Sequence, residues 1–346
     1  MEIQIDNQYM LKAMKDFIDT PSPVGYYEEV LPVLEAYAKE LGHEVTYDLK
    51  HTGYITLEGE DNSKTVCVGA HMDTIGLIIK RINDNGTIAV RSLGGVNFSS
   101  IEGESVTVHT RDGKHYTGLM TCTSHSVHVF DDARTLQRDE DSMVVLLDEH
   151  VSTKQDVFDL GIMNGDVISV DPRFQYTEKG FIKSRYLDDK AAVAAVFAVL
   201  KYLKETGRKP KYKTMFAFPF FEEIGHGGAY VPPEVTEYVA IDIGLVGPDY
   251  NGTEYKVSIC VKDNFSPYDR ELTSRLIHQA KAVEADYAID IFYRYGTDAN
   301  AAIRAGHNLL AAAFGMAVHS SHGMERCHIS AVENTAKLLV GYVLDL

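Results

Sequence analysis

The hydrophobic period of this chain changes twice, and that change constrains its fold more than any other feature. Up to about residue 73 the pattern is α/β. Leu11, Met14, Phe17 and Ile18 form one helical stripe, which Thr20-Pro-Ser-Pro23 breaks. A second helix is predicted over residues 26–41, stopped by Gly42. Short strands follow near 44–48 and 54–57, then an apolar strand over 65–70 runs into His71. From about residue 75 to 171 short alternating runs take over: IGLIIKRI, TIAVRS, SVTVHT, HYTGLM and DVISV. Asn85-Gly86 and Asp112-Gly113 lie between them, and both dipeptides suit tight hairpin turns.

From about residue 180 the α/β pattern returns. It predicts a helix over 189–204 ended by Gly207, strands over 213–221, 238–245 and 256–262, and a helix over 268–283. A strand over 287–295, a short helix after Gly296 and a strand over 308–317 follow. Ser330 and Glu333 have capping-box spacing, which predicts the start of a last helix. The simplest organisation is one domain inserted into another: residues 1–74 and 174–346 form an α/β domain, and residues 75–173 an inserted β-barrel or sandwich. Two consecutive domains are the alternative, but the first segment has few strands and makes a poor core alone.

The 346 residues carry 50 acids against 33 bases, a formal charge of −17. Such a surface repels phosphate backbones and anionic lipids, so neither nucleic acid nor membrane is an expected partner. No apolar run reaches the ~18–20 residues that span a bilayer. The opening MEIQIDNQYMLKAMKDF lacks the basic end and apolar stretch of a secretion signal, which predicts a cytoplasmic protein. The 4 cysteines are scattered without a CxxC pair and read as reduced thiols.

Ligands of open α/β sheets bind beyond the carboxyl ends of strands, which singles out five places. His71 ends an apolar strand, and Asp73 shares its face if the strand continues; a surface His–Asp pair is the plainer reading. Asp188 and Asp189 precede a helix, where an N-cap explains one acid but not both. Glu222 and Glu223 follow the buried-looking strand TMFAFPFF; they bind cations, share a proton or sit in a solvated loop. Asp242 lies inside an apolar strand and needs a partner, a basic residue or a cation. The loop HSSHGMERCH supplies His319, His322 and His328. Together His71, Asp188, Glu223, Asp242 and His322 form a nitrogen and oxygen set suited to zinc, cobalt or manganese. Five side chains give two divalent ions three protein contacts each only if one carboxylate bridges.

At this point the sequence resembles a known family. AHMDTIG, LDDKAAVA, FFEEIGHGGA, AIDIG, GTDANAAIRAG and HSSHGMERCHISAVENTAKLL occur in the order seen in the dinuclear metalloaminopeptidases of the glutamyl and deblocking aminopeptidase family. These are the tetrahedral, cellulase-M-like peptidases. The resemblance extends over nearly the whole chain, the TRDGK hairpin and LGIMNGDVISVDP included. It implies a mixed central sheet flanked by helices, with the insert serving oligomerisation, up to a dodecamer. It implies two divalent ions, one on His71, Asp188 and Asp242 and the other on Asp188, Glu223 and His322. It makes Glu222 the general base and Asp73 the residue that orients His71. The implied reaction is attack on the first peptide bond, in a peptide with a free N-terminus, by hydroxide held between the ions. Two departures stand out. Thr74 replaces a common Glu, and HSSHGMER replaces His-Ser-Pro-x-Glu, which leaves His319 a rival to His322; His322 is preferred because Glu325 then falls close to the family's Glu, one position out of register, and His328 is a weaker third candidate.

Three other functions fit parts of the pattern. A metal-dependent deacylase or carboxypeptidase would use the same ions, with Arg185 or Arg326 receiving a carboxylate. A glycosidase needs two carboxyl groups ~5–9.5 Å apart across a sugar bond, whereas adjacent Glu222 and Glu223 point apart in extended chain. A non-catalytic metal-binding scaffold would not need Glu222.

Overall fold

The computed structural model describes residues 3–346; Met1 and Glu2 of the predicted first domain lie outside the described residues. The chain divides into two compact units, Met1–Asp73 with Arg173–Leu346, and Thr74–Pro172.

The first unit is built on a mixed sheet. Across it the strands run Thr46–Tyr47, Gly53–Leu57, Tyr212–Phe218, Asp61–Gly69, Val235–Ile241, Leu310–Val318, Val257–Lys262 and Tyr287–Ile291, with Gly244–Leu245 pairing beside Leu310–Val318. Tyr212–Phe218, Asp61–Gly69, Val235–Ile241 and Leu310–Val318 are neighbours and all parallel, so their carboxyl ends lie side by side. That places the ends of four different chain segments at one edge of the sheet. Helix Leu187–Thr206 packs against Asn7–Asp19 and Ile329–Leu344. Every residue from Leu187 to Leu200 is buried, and the alanine-rich sequence permits that close approach. A small separate sheet pairs Gln175–Tyr176, Phe181–Ser184 and Glu325–His328.

The second unit is a closed barrel of Gly76–Ile82, Ile88–Leu93, Met143–Leu147, His115–Cys122, Ser105–His109 and Val167–Val170. Its core includes Leu77, Ile79, Val90, Val108, Met120, Val145 and Ile168. Asn85-Gly86 and Asp112-Gly113 do sit between paired strands. Only the glycines have positive φ there, so these are longer loops rather than two-residue turns.

Several elements differ from the sequence reading. The small separate sheet was not expected, the strand expected over 238–245 is divided into Val235–Ile241 and Gly244–Leu245, and three differences concern helices. The second helix starts at Val30, because the preceding Pro23–Glu29 segment is taken up by turns. The last helix is capped by His328, whose side chain accepts from the Ser330 N–H. Glu333 instead accepts from Asn7 at 2.9 Å and pairs with Lys337 at 2.7 Å, so no capping box forms at Ser330. Helix Lys154–Asp159 is additional, and its capping box is Thr153 with Asp156.

Candidate metal centre

Strand ends deliver most of the candidate residues. His71 and Asp73 follow Asp61–Gly69, Glu222 and Glu223 follow Tyr212–Phe218, Asp242 follows Val235–Ile241, and His322 follows Leu310–Val318. Asp188 comes from the first turn of Leu187–Thr206, where both Asp188 and Asp189 have non-helical backbone angles. The helix proper therefore begins after them, and the two acids project from an irregular turn.

Two groups share Asp188. One comprises His71, Asp188, Asp189 and Asp242, the other Asp188, Glu223 and His322, with potential ligand atoms within 4.8 Å of one another in each. Asp188 Oδ1 lies 3.1 Å from His71 Nε2, and its Oδ2 lies 3.5 Å from His322 Nε2. Glu223 Oε2 is 3.3 Å from His322 Nε2. Glu222 Oε2 is 3.8 Å from His71 Nε2. His319 belongs to neither group. It is half exposed, 3.8 Å from Glu254, and its backbone bridges to Arg326. His328 is occupied as the helix cap.

Buried hydrogen bonds hold this arrangement. His71 Nδ1 lies 3.0 Å from the Asp73 carbonyl oxygen, which can only accept, so Nδ1 carries the proton and Nε2 presents a lone pair to the acids. The Asp73 carboxylate is 3.6 Å from the same ring, and its two oxygens accept from the N–H groups of Glu222 and Glu223, both at 3.1 Å. Asp73 thus fixes the two glutamates as well as sitting beside His71. Glu325 accepts from Asp188 N–H at 3.0 Å and from His322 N–H at 3.1 Å, tying two candidate ligands together. Asp189 Oδ2 accepts from His71 N–H at 3.1 Å.

The electrostatics are those of crowded, buried acids. Burial, reinforced by the Asp188 charge, pushes Glu223 up to about 8 and Asp242 up to about 8; His71 opposes both shifts, as do His322 at Glu223 and Tyr295 at Asp242. Burial also carries Glu222 and Asp189 well above the ordinary range. Asp188 is the exception: burial raises it, but hydrogen bonds with His322 and His71 pull it below the usual carboxylate value. A histidine lone pair facing a carboxylate at 3.1 Å, among further buried acids, is favourable only with a proton or cation between them. The donor set therefore fits divalent cations.

A cavity of about 470 Å³ opens on Asp188, Glu223, Asp242 and His322. Its wall includes Phe265, Arg294, Tyr295 and Arg304. Arg304 lies over the Phe265 ring at 4.0 Å. Neither Arg294 nor Arg304 has a carboxylate partner among the described residues.

The profile of the M42 glutamyl aminopeptidases matches residues 52–338. The chain belongs to the M42 glutamyl aminopeptidase family. It is thus a hydrolase acting on peptide bonds, and M42 peptidases are metallopeptidases. Similar relatives include a putative aminopeptidase, YhfE, of Bacillus subtilis (strain 168), 40% identical over 334 residues, 96% of each chain. The lysyl aminopeptidase of Pyrococcus furiosus is 24% identical over 352 residues, 97% of each. Among solved structures, the TET1 peptidase of Pyrococcus horikoshii, which can assemble into a tetrahedron or a large octahedral shell, has a TM-score of 0.85. It is 23% identical, covering 97% of this chain and 100% of that one.

The site also depends on residues that the sequence analysis did not name as site residues, Glu325 having served there only to align the last loop with the family. Asp189 and Glu325 act through backbone N–H groups, and Tyr295 and Asp298 come from the GTDANAAIRAG segment and the residue before it. The sequence carried no signal for Asp298, because an acid in the first turn of a helix is already favoured by the helix N-terminus.

Proposed function

We propose that this M42 peptidase is an aminopeptidase that removes N-terminal residues from short peptides at a dinuclear centre. The observation that carries the reading is Asp188, with one carboxylate oxygen directed to each of two histidine-containing groups. His71, Asp188 and Asp242 would hold one divalent cation, and Asp188, Glu223 and His322 the other; zinc, cobalt and manganese all accept this set. Such cations polarise a carbonyl, lower the pKa of water and offset the burial that raises the surrounding acids. Glu222 would then take a proton from the attacking water and return it to the leaving amine. Asp73, bonded to the Glu222 and Glu223 N–H groups, holds the backbone from which that carboxylate projects. Arg294 and Arg304 add a preference. Two guanidinium groups without carboxylate partners, lining the cavity of a chain with a formal charge of −17, favour a peptide with an acidic residue near its N-terminus.

The test is hydrolysis of short peptides in excess Co²⁺ or Zn²⁺, each with a free or an N-acetylated end, and with Glu, Leu or Lys first. Stepwise release from free peptides only, with the lowest KM for Glu, is the expected result. Cleavage confined to acetylated peptides would overturn the reading in favour of a deacylase. Equal KM values across the three residues would remove the role of the arginines.

A further inference from the structure

Glu222 and Glu223 sit at the start of a glycine-rich loop, Glu222-Glu-Ile-Gly-His-Gly-Gly228, and a loop of that composition does not hold a side chain in place unaided. Asp73 fixes its near end. The far end is held by a different element. Asp298, in the first turn of helix Asp298–Arg304, accepts from the Gly228 N–H at 2.6 Å through Oδ1. Asp298 is only 4% exposed. Its other oxygen, Oδ2, is buried with no hydrogen-bond partner among the described residues.

The loop backbone lies directly on this residue. A Cβ on Gly227 would fall 2.3 Å from Asp298 Oδ2, and one on Gly228 would fall 2.1 Å from the Asp298 carbonyl oxygen. The segment therefore requires glycine at both positions to reach the acid. The loop also closes on itself: Gly225 N–H donates to the Glu222 carbonyl at 2.6 Å and His226 N–H to the Phe221 carbonyl at 3.1 Å, with the His226 ring stacked on Phe221. None of these ties it to another element; besides Asp298, the Lys50 ammonium does so by reaching the His226 carbonyl oxygen. That contact is exposed and made by a long flexible side chain, so it fixes geometry weakly. A buried bond to a carboxylate is the stronger restraint.

We propose that Asp298 is a positioning residue of the reaction: together with Asp73 it clamps both ends of the 222–228 loop and so holds Glu222 at the cation site. The proposal rests on the reading of Glu222 as the base. Among the described residues Asp298 makes no hydrogen bond or ion pair with either candidate ligand group, although its charge acts on His71 and Asp242. A role exerted through the Gly228 N–H should therefore fall on turnover, whereas one exerted through that charge would change cation loading.

Asp298→Ala, Asp298→Asn and Glu222→Gln, singly and with Asp298→Ala in the Glu222→Gln background, separate the possibilities in the cation-loaded enzyme. In Asp298→Ala, kcat should fall roughly 10–100-fold, with KM within about 3-fold and cation content unchanged. Asp298→Asn keeps an oxygen acceptor for Gly228 N–H and should recover kcat to within about 3-fold of the parent. In the Glu222→Gln background, Asp298→Ala should cost less than about 3-fold more, because the group it positions is already gone. Asp298→Ser, too short to reach Gly228, replaces Asp298→Ala should that variant fail to fold. A slow Glu222→Gln with an unaffected Asp298→Ala would overturn this proposal alone. So would equal losses in both backgrounds, loss of cations, or an Asp298→Asn as slow as Asp298→Ala. Full turnover in Glu222→Gln would overturn the base assignment and this proposal with it.

Discussion

At the scale of the residue, the raised acids give the site a pH dependence with a definite sign. Glu223 and Asp242, both pushed up to about 8 chiefly by burial, bind protons more tightly than in an unfolded chain, where carboxyls titrate near ~4. Their protonation therefore stabilises the cation-free fold at low pH, and that contribution is lost as pH rises from about 4 towards 8. Cations take the charged forms, so loading at neutral pH should release protons, and affinity should climb with pH until about 8 and then level off. Calorimetric titration in two buffers of different ionisation enthalpy counts the protons. Melting of stripped and loaded protein should show a gap that widens over the same interval. A gap that does not widen as pH rises would mean that these acids are not protonated in the stripped protein. The residue types and the strand-end positions of this site were legible in the sequence. His322 was preferred to His319 only on the nearness of Glu325 to the family's glutamate, because the backbone that separates the two histidines leaves no trace in local pattern. Ser320 and His322 both adopt left-handed backbone angles, φ 57° and 61°, which turn one histidine outward and the other in. Non-glycine residues adopt that conformation rarely, so no local pattern foretells it. The main role of the Asp73 carboxylate was equally hidden, because its partners are backbone groups about 150 residues away.

At the scale of the element, the sheet sets the site through close backbone contact. Gly315, inside strand Leu310–Val318, lies where a Cβ would be 2.0 Å from the Asp242 carbonyl oxygen and 2.7 Å from its carbonyl carbon. Asp242 N–H also donates to the Phe314 carbonyl at 3.1 Å. Gly315→Ala must displace the backbone that aims Asp242. We expect a loss of roughly 1–3 kcal/mol in denaturant unfolding, together with weaker binding of one of the two cations. An unchanged midpoint and full loading would show that the strand accommodates the methyl group. Helices and strands of strong period were readable, and Gly42 ends its helix in the left-handed form as its type suggests. Termini were less so. Ser330 and Glu333 had capping-box spacing, yet His328 took the cap because Glu333 is bound by Asn7 and Lys337. The same spacing at Thr153 and Asp156 does form a capping box, on a helix too short to have a visible period.

At the scale of the whole molecule, the two changes of hydrophobic period carried the architecture, because a barrel alternates every two residues and a helix repeats every 3.6. What a single chain's pattern does not carry is which apolar surface meets another copy. The Thr74–Pro172 unit exposes Val127 at 53% and Val129 at 68%, close together on one loop of a strongly acidic protein. On the other unit, Tyr287–Ile291 is an open sheet edge with Ile289 and Ile291 exposed. A chain with a formal charge of −17 resists non-specific association, so burial of such patches calls for a specific partner surface. We expect the full chain to form a homo-oligomer through the Thr74–Pro172 unit, with light scattering giving a multiple of 38.5 kDa, twelve being the value for a dodecamer. Val127→Asp with Val129→Asp should then lower the mass at unchanged fold, as read by circular dichroism. A parent that scatters as a single chain would refute the assembly. A parent oligomer untouched by the two aspartates would move the contact to another surface, with the open edge at Tyr287–Ile291 the next to be blocked.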